Sequence, residues 1–222
     1  MSYRHRFVEG SRCDLPPGKT VCVGLNYAAH VAEMNSAAPT EPVLFIKPRT
    51  ALVPFAGALA IPTGHGACHF ETEVALLIGA PLHRAGPRAA PEAIAGIGLA
   101  LDLTLRDLQR QLKDAGHPWE RAKGFDGACA VSEFVPPAEL DFRALTFSLA
   151  LNGAPRQRGH TGDLLTPIPE LLSYISRWFT LEPGDLVLTG TPEGVGPLAA
   201  GDLLEAELAD SLRVSARVIA GR

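Results

Sequence analysis

The segment HFETEVALLIG, residues 69–79, decides the fold class of this chain and raises its main chemical question. From Val74 to Ile78 it is an unbroken apolar run of strand length, and Gly79 ends it. Glu71 and Glu73 stand at its head, where two carboxylates beside apolar neighbours are costly unless a cation or another partner neutralises them. Side chains two apart on a strand point to the same face, so the two carboxylates should converge. The segment therefore predicts a strand with a metal site at its beginning.

A third carboxylate, Asp102, stands in the apolar run GLALDLTL at 98–105 and also needs a partner. Three carboxylates without a thiolate select a hard cation, Mg²⁺ or Mn²⁺ before Ca²⁺. Two alternatives remain open at this point. The E-x-E pair is also common on the solvated face of an edge strand, and Asp102 could instead cap the helix that follows it.

Short strands dominate the rest of the pattern. Residues 145–151 alternate apolar and small or polar side chains and run into Asn152-Gly153, a strong hairpin signal. Residues 202–219 predict another hairpin. Helical spacing predicts two helices, over 104–115 and 167–179, packed on sheet. The fold class is thus α+β and strand-dominated.

Composition excludes several classes of protein. The chain has 222 residues, 46% hydrophobic and 20% charged, which suits one domain with a large core. A net charge of −4 with scattered Lys and Arg argues against a nucleic-acid partner. The longest apolar stretch, 93–105, is too short for a membrane span and contains Asp102. Four cysteines without C-x-x-C spacing and a start without a secretory signal predict a soluble protein of the reducing cytoplasm.

Three more groups of residues are candidates for chemistry. His30 and Glu33 have a helical spacing at which a carboxylate can orient an imidazole as a general base, although an exposed polar face is the alternative. Lys47 stands where strand alternation could bury it, and Lys123 follows a loop that contains His117 and Trp119, but lysines are mostly solvated. GTPEGVG, 190–196, lacks the form of a phosphate loop, and no serine-hydrolase elbow is present.

Taken together, seven sequence segments resemble, in their residues and in their order, those of the fumarylacetoacetate hydrolase family. The likeness is greatest to its small acylpyruvase branch, which also includes enzymes acting on oxaloacetate. The resemblance runs from about Val21 to about Leu208. The blocks that carry it are GLNYAAHVAEM, PVLFIKPRTALV, HFETEVALLIG, ALDLTLRDLQ, PWERAKGFDGACAVSEFV, LNGAPRQRGHTGDLL and GDLVLTGTPEGVGP.

The resemblance implies a role for each candidate. Glu71, Glu73 and Asp102 match the metal ligands, with Mg²⁺ or Mn²⁺ expected. His30 and Glu33 match the pair that activates water, and Lys123 matches a lysine that faces the substrate, so these three are the expected catalytic residues. Substrate-binding positions are matched by Lys47, Arg106, Gln109 and Thr191.

The resemblance also implies an architecture and a reaction. We expect residues 1–222 to form a single catalytic domain, a mixed β-sandwich roll with a few peripheral helices, a lid around 26–42 and a homodimeric assembly. The expected activity is hydrolysis of the C–C bond of acylpyruvates such as fumarylpyruvate, giving pyruvate and a carboxylic acid through a metal-stabilised enolate. Oxaloacetate tautomerisation or decarboxylation in the same site is the alternative. A non-catalytic binding protein is a third reading, and the intact site argues against it.

Overall fold

Three β-sheets account for most of the regular structure. In the computed structural model, which describes residues 3–221, fifteen strands form sheets of seven, five and three strands. In chain order the strands are β1 Thr20–Gly24, β2 Val43–Lys47, β3 Leu52–Pro54, β4 Gly57–Ile61, β5 Cys68–Phe70, β6 Thr72–Ile78, β7 Ile94–Asp102, β8 Thr104–Leu105, β9 Cys129–Val131, β10 Thr146–Leu151, β11 Ala154–His160, β12 Leu186–Leu188, β13 Gly196–Pro197, β14 Leu203–Leu208 and β15 Leu212–Ala220.

The segment with the two glutamates lies in the middle of the largest sheet. That sheet has the order β2-β1-β12-β6-β7-β9-β3, and β6 pairs antiparallel with both β12 and β7. Every residue of β6 is buried. The edge-strand alternative for Glu71 and Glu73 is therefore wrong, because neighbours cover β6 on both edges and Glu71, directly before it, is also buried.

Both faces of β6 are covered by apolar side chains. Val74 and Leu76 belong to the larger core cluster, which also includes Phe147 and Leu149 of the five-stranded sheet β11-β10-β14-β15-β4. Leu77 faces a smaller cluster on the opposite side of the seven-stranded sheet. Full burial of one leucine contributes about 1.5–3 kcal/mol. An unbroken apolar run is what a strand buried on both faces requires.

Both predicted hairpins are confirmed. β10 pairs antiparallel with β11, and the turn residues Asn152 and Gly153 have φ of 54° and 76°, as the favoured two-residue turn requires. β14 pairs antiparallel with β15 through the turn after Leu208.

The helices are short and lie outside the large sheet. They are α1 Ala28–Glu33, α2 Arg106–Asp114, α3 Glu120–Lys123 and α4 Ile168–Trp178. α4 confirms the helix predicted over 167–179. α2 begins two residues later than predicted, because β8 pairs with β5 before the helix starts. Leu105 precedes α2 without a side-chain cap, and Asp102 ends β7, so the capping alternative for Asp102 is wrong.

The architecture confirms the strand-dominated α+β class, with two packed sheets and few helices. Among residues 3–221, no helix is long and apolar enough to cross a membrane.

Candidate active site

Three buried carboxylates meet where the small and large sheets adjoin. Ligand oxygens of Glu71, Glu73 and Asp102 all lie within 4.8 Å of one another. The register explains this, because Thr72 of β6 pairs with Leu101 of β7, and the N–H of Asp102 donates a 2.8 Å hydrogen bond to the carbonyl of Glu71. The end of β7 is thereby held beside the beginning of β6.

Three cationic side chains contact this acidic cluster. The ammonium of Lys123 donates hydrogen bonds of 2.8 Å to Oε2 of Glu71 and 2.6 Å to Oδ2 of Asp102. The guanidinium of Arg106 pairs with Oε1 of Glu71. Nζ of Lys47 lies 2.7 Å from Oδ1 of Asp102, although this contact lacks hydrogen-bond geometry. The Lys47 ammonium directs its protons at backbone carbonyls instead, so Oδ1 of Asp102 accepts no hydrogen bond.

The charges within the cluster are unevenly balanced. Burial would raise the pKa of Glu71, but Lys123 and Arg106 outweigh it and hold that pKa below its usual range. Burial, then Asp102 and Glu71, raise the pKa of Glu73 well above its usual range, since no cationic side chain pairs with Glu73 within the described part of the chain.

Three converging carboxylates, of which Glu73 has no cationic side-chain partner among residues 3–221, form an oxygen-only ligand set that suits a hard divalent cation. The residues that could hold such an ion are Glu71, Glu73 and Asp102.

A histidine–carboxylate pair is carried on α1. Nδ1 of the buried His30 lies 2.9 Å from Oε2 of Glu33, whose Oε1 accepts a 2.9 Å hydrogen bond from the N–H of Gly194. A carboxylate only accepts hydrogen bonds, so in the neutral imidazole Nδ1 carries the proton and Nε2 has the lone pair. This is the orientation that a histidine general base requires.

The turn 190–194 holds two of these carboxylates through its backbone. The N–H of Gly190 donates a 2.6 Å hydrogen bond to Oε2 of Glu73, and the N–H of Gly194 donates the 2.9 Å hydrogen bond to Oε1 of Glu33. Both glycines have positive φ, 98° and 95°, and a Cβ on Gly194 would lie 1.9 Å from the carbonyl oxygen of Arg156. Only glycine fits there.

Gln157 of β11 fixes the same turn to the glutamate strand. Its amide accepts a 2.9 Å hydrogen bond from the N–H of Thr72 and donates 2.8 Å bonds to Oγ1 of Thr191 and the carbonyl of Pro192. Thr191 in turn donates to the carbonyl of Thr72. The sequence reasoning missed Gln157 and the two glycines. The glycine spacing in GTPEG was the available signal, whereas nothing local marked Gln157.

A small cavity of about 40 Å³ joins most of the predicted residues. By the usual allowance of roughly 10–15 Å³ per enclosed water, it has room for about three. The predicted residues that line it are His30, Glu71, Glu73, Arg106, Gln109, Lys123 and Thr191. The other three, Glu33, Lys47 and Asp102, lie behind that lining, in contact with His30, Asp102 and Lys123, respectively. Wall residues that the sequence did not single out include Phe45, Lys113 and Trp119.

A strand-dominated α+β fold with an oriented histidine beside a buried acidic triad defines a candidate metal-dependent enzyme. Comparison with known proteins identifies its family. A family model described as Fumarylacetoacetate (FAA) hydrolase C-terminal matches residues 19–219. The chain therefore belongs to the fumarylacetoacetate hydrolase family, which confirms the resemblance.

Two relatives and one solved structure are similar to this chain over most of its length. The chain is 53% identical over 204 residues to oxaloacetate tautomerase YcgM from Escherichia coli (strain K12), covering 91% of this chain and 93% of that protein. It is 44% identical over 199 residues to the mitochondrial oxaloacetate tautomerase FAHD1 from Bos taurus, covering 89% and 90%. Fumarylpyruvate hydrolase from Pseudomonas aeruginosa, in complex with Mn²⁺ and pyruvate, matches with a TM-score of 0.93 at 35% identity, covering 99% of this chain and 97% of that one.

Proposed function

We propose that this chain is a divalent-cation-dependent enzyme that interconverts the keto and enol forms of oxaloacetate. The observation that carries the proposal is His30, oriented by Glu33, in the same small cavity as Glu71 and Glu73. A base beside a cation site is what proton abstraction next to a carbonyl requires. The 53% identity to the Escherichia coli oxaloacetate tautomerase supports the choice of substrate.

Glu71, Glu73 and Asp102 would hold the cation, Mg²⁺ or Mn²⁺. The bound ion would supply Lewis-acid chemistry by stabilising negative charge on the 2-oxo group beside it. The Mn²⁺ in the Pseudomonas aeruginosa structure supports this assignment by analogy.

The proton transfer is assigned to His30. Its Nε2 takes a proton from C3 of the substrate, the electron pair of that C–H bond forms the C2–C3 double bond, and the C2 oxygen gains negative charge. The His30 imidazolium then gives up its proton and the C2 oxygen takes one, which restores the neutral base. Glu33 holds His30 in the tautomer that allows this and stabilises the imidazolium that forms. The ammonium of Lys123 stabilises the negative charge that forms on the C2 oxygen of the substrate. Keto and enol differ only in where one proton sits, so nothing else is consumed.

Binding of the substrate carboxylate is assigned to α2 and to the turn after β12. Arg106 donates a 2.7 Å hydrogen bond to Oε1 of Gln109, so the amide NH₂ of Gln109 is left to donate to an anionic ligand. Thr191 lines the same cavity, and its hydroxyl would turn away from the carbonyl of Thr72, its present acceptor, to donate to that carboxylate. Lys47 is assigned a positioning role, because it acts through Asp102.

Residues 26–42 are proposed to open as a lid over this single catalytic domain. Met34 and Ser36 line the cavity, and its volume of about 40 Å³ is too small to admit a dicarboxylic acid without movement. A closed lid would also exclude water from the enol.

Acylpyruvate hydrolysis is the second candidate function. It is favoured by the likeness to fumarylpyruvate hydrolase and by a His30–Glu33 pair that could equally deprotonate a water. In that reaction the water attacks the distal carbonyl, and C–C cleavage releases a carboxylic acid and pyruvate.

Assays with one purified enzyme separate the candidates. With Mg²⁺ or Mn²⁺, the proposal expects accelerated decay of enol absorbance in fresh enol-oxaloacetate, without CO₂ release in proportion. His30→Ala should abolish the acceleration, while the exposed His65→Ala serves as the matched control. Release of pyruvate from acetylpyruvate or fumarylpyruvate, without tautomerase activity, would establish the second candidate instead.

The homodimer and the cytoplasmic location rest on the family resemblance and on composition, and we propose both on that basis. Sedimentation equilibrium of the purified chain tests the first, and fractionation of the source cell tests the second.

A further inference from the structure

One cationic side chain in the cavity wall makes no ion pair with the acidic cluster. Of the three Lys and Arg side chains that line the cavity, Arg106 and Lys123 are ion-paired with Glu71. Lys113 is the third, and it makes no ion pair with a carboxylate among residues 3–221. The positive charge of Lys113 is therefore available to bind an anionic ligand in the cavity.

The position of Lys113 on α2 sets where this charge lies. Arg106, Gln109 and Lys113 are spaced i, i+3, i+7, so they share one helix face, and all three line the cavity. Seven residues correspond to two turns, roughly 10 Å along the helix axis. Arg106 contacts the acidic cluster, so Lys113 lies at the other end of the cavity wall.

An aromatic wall restrains the Lys113 side chain. Its Nζ lies 5.9 Å from the centre of the Trp119 ring, and Trp119 packs against Phe45, with ring centroids 6.0 Å apart. Both aromatic residues line the same cavity. A cation held over an aromatic face is partly pre-positioned, which lowers the entropy lost when it binds an anion.

We propose that Lys113 binds the second carboxylate of the substrate and makes the site selective for 2-oxo dicarboxylic acids over 2-oxo monocarboxylic acids. The inference rests on the proposed function, in which the 2-oxo acid end of the substrate faces the acidic cluster. Oxaloacetate carries a further carboxylate on C4, and the ammonium of Lys113, on the exposed side of the cavity wall, can donate a charge-assisted hydrogen bond to it. Lys113 is the lining cation that remains for it.

Equilibrium binding tests this without relying on turnover. Titration calorimetry of the Mn²⁺-loaded protein compares oxaloacetate with pyruvate, which has the 2-oxo acid end and no second carboxylate. The wild type should bind oxaloacetate more tightly. Lys113→Met should weaken oxaloacetate about tenfold, the size of one charged hydrogen bond, and leave pyruvate unchanged. Lys113→Arg should restore most of the preference.

A matched control lies on the same helix. Arg110 is exposed and does not line the cavity, so Arg110→Met removes the same charge from α2 without touching the site, and should keep the preference for oxaloacetate. The inference is overturned if the wild type has no such preference, if Lys113→Met retains it, or if Arg110→Met loses it equally. Failure of the proposed function looks different: oxaloacetate would bind, but its enol would decay at the uncatalysed rate.

Discussion

Glu33 and Gly194 are joined by a 2.9 Å hydrogen bond from the glycine N–H to Oε1 of the glutamate. This bond ties α1, which carries His30, to the turn that carries Thr191, so the proposed base and the proposed substrate-binding hydroxyl share one anchor. The other oxygen of Glu33 orients His30 at 2.9 Å. One side chain therefore sets both the position and the tautomer of the base.

Glu33→Gln should separate these two tasks. The Gln Oε1 can still accept from Gly194, but its NH₂ then donates to Nδ1 of His30, which moves the imidazole proton to Nε2 and removes the lone pair that faces the cavity. We expect kcat to fall on the order of 10²-fold or more, with little change in thermal stability. Steady-state enol decay, with a melting curve as control, measures both. Activity within twofold of wild type would show that this tautomer is not needed.

Glu73→Gln should trade metal affinity for stability of the metal-free protein. The glutamate is buried against Asp102 and Glu71, and no cationic side chain of residues 3–221 pairs with it. An amide of the same shape keeps the hydrogen bond from Gly190 and carries no charge. We expect the metal-free variant to be more stable by about 1 kcal/mol or more, because folding no longer has to bury a charge or take up a proton at this position.

Melting curves with and without Mn²⁺ measure this effect. The ion should raise the melting temperature of the wild type, since a ligand that binds only the folded state stabilises it, and should raise that of Glu73→Gln far less. The exposed Glu92→Gln is the control and should respond to Mn²⁺ like the wild type. An equal response of Glu73→Gln would remove Glu73 from the ligand set.

Gln157→Met should loosen the site from outside the cavity. The substitution keeps the side-chain length but leaves the N–H of Thr72 and the carbonyl of Pro192 without their partner, while Thr191 loses one of its two hydrogen bonds. We expect a loss of about 2–4 kcal/mol in unfolding free energy, since buried polar groups left unpaired cost about 1–3 kcal/mol each and the site can partly relax. Denaturant unfolding measures this.

The same variant should also bind Mn²⁺ more weakly, because Thr72 stands between Glu71 and Glu73. Calorimetric titration of Mn²⁺ tests that effect at a temperature where the variant is folded. Gln111→Met, an exposed change on α2, should alter neither stability nor Mn²⁺ affinity. A Gln157→Met protein that is less stable but binds Mn²⁺ normally would restrict Gln157 to a structural role.

The contrast between Glu73 and Gln157 shows how far the sequence could predict this site. Glu73 could be proposed because a charge in an apolar run is locally anomalous, and the Asn152-Gly153 hairpin because its turn chemistry is local. Whether Glu73 is solvent-exposed or buried depends on β12 and β7, which flank its strand. That pairing is visible only in the assembled sheet. Gln157 lies 85 residues from Thr72 along the chain, so no local pattern marks their contact. The start of α2 was misplaced for the same reason, since β5 draws the preceding residues into a strand.

His5 should make the stability of the protein depend on pH. It is buried, and its Nε2 lies 3.0 Å from the carbonyl of Gly184, so the neutral ring donates there. Burial lowers the pKa of His5 below its ordinary 6.5, although the Gly184 hydrogen bond partly opposes this. The unfolded chain then binds more protons than the folded one, and stability should be full above pH 6.5 and fall as the pH drops from 6.5 towards the folded pKa. The slope for one group is at most about 1.4 kcal/mol per pH unit.

His5→Gln keeps a donor towards Gly184 and cannot be protonated, so its unfolding free energy should be lower at pH 7 yet change less between pH 7 and 5. Urea unfolding across that range measures the difference. His117→Gln, at an exposed position, should retain the pH dependence of the wild type. Parallel pH curves for His5→Gln and the wild type would mean that other groups, not His5, bind the protons that destabilise the fold, because removal of the linked group must remove its share of the slope.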